Sequence, residues 1–438
     1  MNLVKELEGK LLERQRLVSR EDEINHVLAD GLVIEVNGIE EVDLYYGWKQ
    51  KRWKCNRCLA TQPHQFSAHH CLRCGKWCTY CRHCIQMGKI ATCTKLLKWV
   101  GELSKVSHFT LSPLETALSS AQRQAADEWI ENYRIGNQHL IHAVCGAGKT
   151  EIMFQVIHHM LSQGLRVCVA APRTDVVLEL YPRFCTAFPQ VTVQAFYGGA
   201  EKSIGLADIT IATTHQLYRF TKVFDHIIVD EADAFPYSID DTLIQAVITS
   251  KKDNGCIHFV SATPNKRLPY DSETVLSKRF HGQPLPVPRF EKLIGYEKQL
   301  KKHRIPKKLQ RWMTTCDQRN LPYLIFLPTI RQIEDFPGNM PRVHAEHPMR
   351  KERVIQLRNK EIQGLLTSTI LERGITIENL QVAVVGAEKP IFTSQALIQI
   401  AGRVGRSSKF PAGDIVFFHH GISDAMVRAK QTIEGHNR

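Results

Sequence analysis

The chain has 438 residues, of which 43% are hydrophobic, with a formal net charge of +13 and a sequence pI of about 9.1. The first 30 residues are too charged for a secretory signal, and no apolar run approaches the roughly 20 residues of a membrane span, which excludes a small secreted scaffold and an integral membrane protein as readings. A length for two or three domains and a basic excess of this size predict a cytoplasmic protein with an anionic partner, most often nucleic acid.

Residues 1–48 open with a charged helical start and continue as a mixed apolar stretch. Residues 49–54 are basic and hold Trp53. Of the 13 cysteines, seven lie between Cys55 and Cys84, a density that reads as metal binding in a long cytosolic chain. Cys55-x-x-Cys58 and Cys71-x-x-Cys74 are 12 residues apart, and Gly75 follows the second pair. A C-x-x-C knuckle turns tightly enough to put two thiolates on one ion, and tetrahedral Zn²⁺ takes two such pairs. Cys78, Cys81 and Cys84 follow. They either complete a second site with His64, His69, His70 or His83, or replace one of the first pairs; spacing leaves both open. Cys93 and the later cysteines read as core residues. Trp53, Trp77 and Tyr80 sit among basic residues, where they either stack bases or fill a small core.

From residue 111 the pattern becomes α/β. Strands are expected over 139–145, 166–171, 208–213, 226–229 and 256–260, with helices over 149–163 and 175–188. Such alternation gives a parallel sheet covered on both faces. Ala143 to Glu151 reads A-V-C-G-A-G-K-T-E, after an apolar run and ahead of a helix. That is the setting for a loop whose backbone N–H groups hold phosphate. Gly146, Ala147 and Gly148 form the turn, Lys149 would reach the β- and γ-phosphates, and Thr150 would ligate Mg²⁺. Ala143 stands where the general pattern has its first glycine. Asp230 and Glu231 follow Ile227 to Val229. Two adjacent acids usually mark a solvated turn, but at a strand end downstream of a phosphate loop they suit a Mg²⁺ shell (Asp230) and a base that orients water (Glu231).

A turn-rich, basic stretch over 265–288 reads as a linker. The alternation then restarts, with strands expected over 323–327, 342–345, 364–369, 381–385 and 414–419 and helices over 349–361 and 393–403. The predicted organisation is an N-terminal segment (1–48), a zinc-binding module (49–105) and two tandem α/β domains with parallel sheets (106–288 and 289–438).

Residues 111–420 resemble superfamily 2 helicases and translocases. Ala143 to Thr150 is similar to motif I, Asp230-Glu231-Ala232-Asp233 to motif II and Ser261-Ala262-Thr263 to motif III. The resemblance implies that Ser261 and Thr263 couple the nucleotide site to nucleic acid and that Gln122, in S-S-A-Q-R-Q, reads adenine. It gives strand contacts to Pro172, Arg173, Thr214 and Gln216, and to Thr367 and Thr369 beside Arg373-Gly374. Gln399 to Arg406, Q-I-A-G-R-V-G-R, is similar to motif VI. There Arg403 and Arg406 would meet the γ-phosphate, where charge spreads over the transferring oxygens. Ile400 replaces the arginine typical of the RNA-helicase form, so the string looks more like the PriA group of DNA helicases. The run Cys71 to Lys89 resembles the ComFA family. That resemblance implies an ATP-driven motor on incoming single-stranded DNA in naturally competent bacteria, in the cytoplasm at the inner membrane face. ComFC, DprA and the membrane uptake channel would be partners; ATP, Mg²⁺ and Zn²⁺ would be cofactors. A replication-restart helicase, or a zinc-stabilised nucleic-acid-binding module with weak ATPase, are the competing readings.

Overall fold

The computed structural model describes residues 3–45, 49–106, 111–114, 117–200, 205–264, 267–344, 347–368 and 377–437. Two compact units divide the chain. The first is Met1–Leu118, Arg123–Ile141 and Thr150–Thr274; the second is Ser119–Gln122, His142–Lys149 and Val275–Arg438. No helix among the described residues is long and apolar enough to cross a membrane.

The N-terminal part is built on a three-stranded antiparallel sheet. Lys95–Trp99 lies between Leu11–Glu13 and Val33–Asn37. Leu97 and Trp99 bury against Leu3, Leu7, Ile24 and Val27 from two short helices. Residues 11–37 and 95–99 therefore fold together, with the cysteine-bearing segment looped out between them. That segment consists of two hairpins. Ile39–Tyr45 pairs with Lys49–Cys55, and Phe66–His70 with Trp77–Cys81.

Both expected α/β sheets are present. The first has the order Val193–Phe196, Ile209–Thr213, Val167–Ala171, Phe224–Asp230, Lys251–Ser261, His139–Ala143, Ser272–Leu276. Its first five strands pair in parallel. Val167–Ala171 and Ile209–Thr213 are buried at every residue, because helices cover both faces of a parallel sheet. The second sheet has six parallel strands in the order Arg289–Lys292, Ile415–His419, Gln381–Val385, Tyr323–Phe326, Gly364–Thr367, Arg342–Val343. These are the two tandem α/β domains that the alternation predicts, RecA-like as the helicase resemblance implies.

One expectation fails here. The stretch read as a linker contains the strand Ser272–Leu276, at the edge of the first sheet. Residues 272–275 alternate between half-buried and exposed, and Leu276 is buried. A polar edge strand has the composition of a loop, so the sequence conceals it. The expected strand end at residue 369 lies outside the described residues.

Candidate nucleotide site and metal clusters

The strand His139–Ala143 leads into residues 144–148, and the 14-residue helix Lys149–Ser162 begins on the lysine itself. Gly146 and Gly148 take left-handed backbone, at φ +86° and +80°. Glycine reaches this region without a side-chain clash. Successive N–H groups are thereby presented at a helix N-terminus, where an anion is favoured by both hydrogen bonding and the helix dipole. Ala147 between them is buried.

Side chains and backbone in the second unit brace this loop. Gln122 is buried; its Nε2 donates to the Ala147 carbonyl (2.9 Å), and its Oε1 accepts from the Ser119 N–H (2.9 Å). The amide that the resemblance assigns to adenine here ties the loop to the helix Ser120–Arg134. Residues 276–281 brace the opposite side. The Val144 N–H donates to the Leu276 carbonyl (3.0 Å) and the Phe280 N–H to the Gly146 carbonyl (3.0 Å). Between them Arg279, which the sequence did not single out, donates to the carbonyls of Val404 (2.7 Å) and Gly405. Burial, then Arg406, lowers its pKa to about 10, against a raising effect of Cys145, so the guanidinium stays charged. Gly402 touches Cys145: a Cβ there would come within 2.4 Å of the Cys145 Cβ. The segment 402–406 and the phosphate loop thus share one packed unit. Arg403 is fully buried, Gln399 is buried, and Arg406 Nε donates to the Gly402 carbonyl (3.1 Å).

In the first unit, Asp230 closes the strand Phe224–Asp230 and is buried. Glu231 has φ +53°. A left-handed glutamate costs about 1–3 kcal/mol, and such residues collect at functional sites. It also ends the alternation that would point two adjacent carboxylates to opposite faces. The Glu231 N–H donates to Asp230 Oδ1 (2.9 Å). Asp233 accepts from Ser261 Oγ (2.6 Å) and Thr263 Oγ1 (2.8 Å). The turn carrying the acids is therefore fastened to the end of the next strand. Thr150 Oγ1 accepts from Arg183 Nη1 (3.1 Å), and Arg183 Nη2 donates to Glu151 (2.6 Å). Arg183 is a second residue that the sequence did not reveal. Carboxylate and hydroxyl oxygens are the ligands a hard dication such as Mg²⁺ takes.

The expected strand contacts lie on several elements of the two units. Pro172 and Arg173 sit between the strand Val167–Ala171 and the helix Thr174–Ala187, with Arg173 3.8 Å from Asp175. Thr367 is buried at the end of Gly364–Thr367. Thr214 and Gln216 are buried too, and Gln216 Nε2 donates to Met87 Sδ (3.3 Å) in the cysteine-rich segment. Thr369, Arg373 and Gly374 lie outside the described residues.

The cysteines form two groups of four whose sulfurs lie within 4.8 Å of one another: Cys55, Cys58, Cys81, Cys84 and Cys71, Cys74, Cys78, Cys93. This corrects the simplest expectation, since Cys55/Cys58 and Cys71/Cys74 belong to different groups. Cys81 and Cys84 join the first pair, and Cys78 the second. Cys93, read as core, is the eighth thiol. Sulfur separations of 3.7 Å (Cys55–Cys84), 3.4 Å (Cys58–Cys81), 3.7 Å (Cys71–Cys93) and 3.4 Å (Cys74–Cys78) approach the roughly 3.8 Å of a tetrahedron with Zn–S bonds near 2.3 Å. Either group could hold a metal ion such as zinc. Each knuckle reads C-x-R-C, and each arginine meets a thiol of its own cluster. Arg57 Nε is 3.4 Å from Cys84 Sγ, and Arg73 Nη2 is 3.1 Å from Cys93 Sγ. Guanidinium donors suit tetrathiolate sites, whose ligands outnumber the charge of the ion.

Three families match along the chain: Competence protein ComFA N-terminal domain over residues 1–98, Type III restriction enzyme, res subunit over 115–266, and Helicase conserved C-terminal domain over 305–408. Competence protein ComFA of Bacillus subtilis (strain 168) is 40% identical over 401 residues, covering 89% of this chain and 86% of that protein. Competence protein ComFA of Streptococcus pneumoniae (strain ATCC BAA-255 / R6) is 36% identical over 358 residues, covering 78% and 79%. Among solved structures, S. cerevisiae Dbp5 bound to RNA and ADP BeF3 superposes with a TM-score of 0.57 at 14% identity, over 74% of this chain and 88% of that one, a likeness of fold alone.

Proposed function

The chain belongs to the ComFA family, and from that premise we propose that it is an ATP-hydrolysing translocase of single-stranded DNA that drives DNA uptake in natural transformation. The observation that carries this reading is the fastening of Asp233 to Ser261 and Thr263. It joins the turn holding Asp230 and Glu231 to the end of a neighbouring strand, so a change at the acids is felt beyond them.

In this reading the loop at Gly146 to Gly148 cradles the triphosphate, Lys149 meets the β- and γ-phosphates, and Thr150 and Asp230 offer oxygens to Mg²⁺. Glu231 orients water. Arg403 and Arg406 neutralise the transferring phosphoryl group. Gln122 acts by holding the loop in shape rather than only by reading a base. Arg173 and Thr369 remain candidates for the strand, whereas the buried Pro172, Thr214, Gln216 and Thr367 would act through packing. Each cysteine cluster holds one Zn²⁺. ComFC, DprA and the uptake channel are the proposed partners, at the cytoplasmic face of the membrane. The domain limits 106–288 and 289–438 belong to the same proposal.

The deciding experiment is ATP turnover by the purified chain with and without single-stranded DNA. Stimulation several-fold or more supports the motor. Turnover that ignores DNA, or none at all, overturns it.

A further inference from the structure

Residues 49–100 contain eleven Lys and Arg side chains and no Asp or Glu. The whole chain carries +13, so the remaining residues together carry only +2. Two divalent ions held by eight thiolates would lower the module to about +7. This charge is not evenly available. In the first hairpin, Lys51 pairs with Glu41 (3.2 Å) and Lys54 with Glu40 (3.7 Å) across the ladder. Lys95 pairs with Glu35 (3.5 Å), and Arg57 is buried against Glu13 (2.9 Å). Around the second hairpin, by contrast, Lys76, Arg82 and Lys89 form no ion pair among the described residues.

The same region exposes the large apolar side chains that most small domains bury. Leu72 is 97% exposed and Trp77 74% exposed. Trp77 follows the Cys71–Cys74 knuckle and meets His70 edge-on across the hairpin, with ring centroids 6.2 Å apart. On the opposite face of the same hairpin, Tyr80 contacts His69 (5.3 Å), and Lys89 Nζ reaches His69 Nε2 (3.1 Å). An exposed aromatic ring on one face of a hairpin, with cations that no carboxylate neutralises next to it in sequence (Lys76) and on the other face (Lys89), is the chemistry that holds a single strand passing around the hairpin: a base stacks and phosphates are neutralised.

We propose that the hairpin Phe66–His70/Trp77–Cys81, held by the second cysteine cluster, is a docking platform for single-stranded nucleic acid, with Trp77 stacking on a base and Lys76 and Lys89 meeting phosphates. This deepens the motor reading and rests on it for the identity of the polymer. The platform lies outside the nucleotide loop, so it would tether the strand independently of the hydrolysis cycle.

The test uses the full chain, loaded with zinc, and fluorescence anisotropy of a labelled oligothymidylate over a salt series. Trp77→Ala is expected to weaken binding about 5- to 150-fold, from the ~1–3 kcal/mol of one base–aromatic stack. Trp77→Tyr should recover most of the affinity. Lys76→Gln with Lys89→Gln should flatten the log–log salt slope by about 0.7 for each phosphate that is no longer neutralised. Zinc content equal to the native chain certifies that each variant has kept the module. Native affinity in Trp77→Ala overturns the platform. So does unchanged oligothymidylate binding accompanied by abolished binding to vesicles rich in phosphatidylglycerol, which would make the face a membrane contact. Failure of the motor reading shows separately, as absent or DNA-independent ATP turnover in the native chain.

Discussion

At the scale of single residues, the phosphate loop and the acid pair have the most definite consequences. Lys149→Ala removes the ammonium at the loop, and Glu231→Gln removes the base while keeping its size. Both should cut ATP turnover by at least about 100-fold, the usual contribution of a positioned general base or charge partner. Glu231→Gln should still bind nucleotide; a fluorescent ATP analogue and phosphate release measure the two separately. Arg406→Ala should likewise bind ATP and hydrolyse it slowly. Near-native turnover in any of these variants removes that residue from the site. Lys149, Asp230 and Glu231 stand out as candidates in the sequence because their chemistry demands fixed spacing next to a strand. Arg183 and Arg279 do not, because their partners Thr150 and Val404 lie 33 and 125 positions away and nothing local marks them. The left-handed φ of Glu231 was equally hidden, since glutamate carries no signal for it.

At the scale of elements, the strand–helix alternation is plain in the sequence wherever a strand is buried on both faces, as in Val167–Ala171 and Gln381–Val385. Ser272–Leu276 escapes it because one side of that strand faces water. Three neighbouring buried strands also place His139, His226 and His258 together. The His139 N–H donates to His258 Nδ1 (3.2 Å), and His226 stacks on His258 with Nδ1 and Nε2 3.1 Å apart. Burial drives the pKa of His139 and His226 down to about 4 and that of His258 well below its usual range. A histidine held neutral in the fold protonates near pH 6.5 once unfolded, so stability is full above that value and falls as the pH drops towards 4. Each contributes about 1.4 kcal/mol per pH unit across that window. Urea unfolding at pH 7 and pH 5 should show the loss, and His226→Gln should make the slope shallower. An unchanged slope in the variant would show that the stack does not set acid stability.

At the scale of the whole molecule, the second unit contains both the phosphate loop residues His142–Lys149 and Val275–Arg438. A chain ending at Pro288 should therefore lose ATP turnover even with every residue from Gly146 to Glu231 intact; full DNA-stimulated activity in it would refute the shared site. The cysteine module should carry two zinc ions per chain, and Cys93→Ser should reduce this to about one, read by metal analysis of reduced protein. Two ions in Cys93→Ser would return that residue to the core. The knuckles were legible from spacing alone. Their partners were not, because hairpin register decides which thiols converge, and register is a property of the folded sheet.

The two clusters are unequal in their surroundings. Cys55, Cys58, Cys81 and Cys84 are buried in one apolar body with Leu217, Tyr218 and Phe220 of the first unit, whereas Cys74 is exposed and Cys93 half-buried. Oxidants and chelators reach thiolates in order of access. The outer ion should leave first and on its own, a reversible injury confined to one hairpin. Loss of the inner ion should come later and loosen the turn Thr214–Arg219, which packs against that cluster and against Met87. Under oxidative stress the chain would therefore fail in two stages, shedding its outer grip well before its motor is harmed.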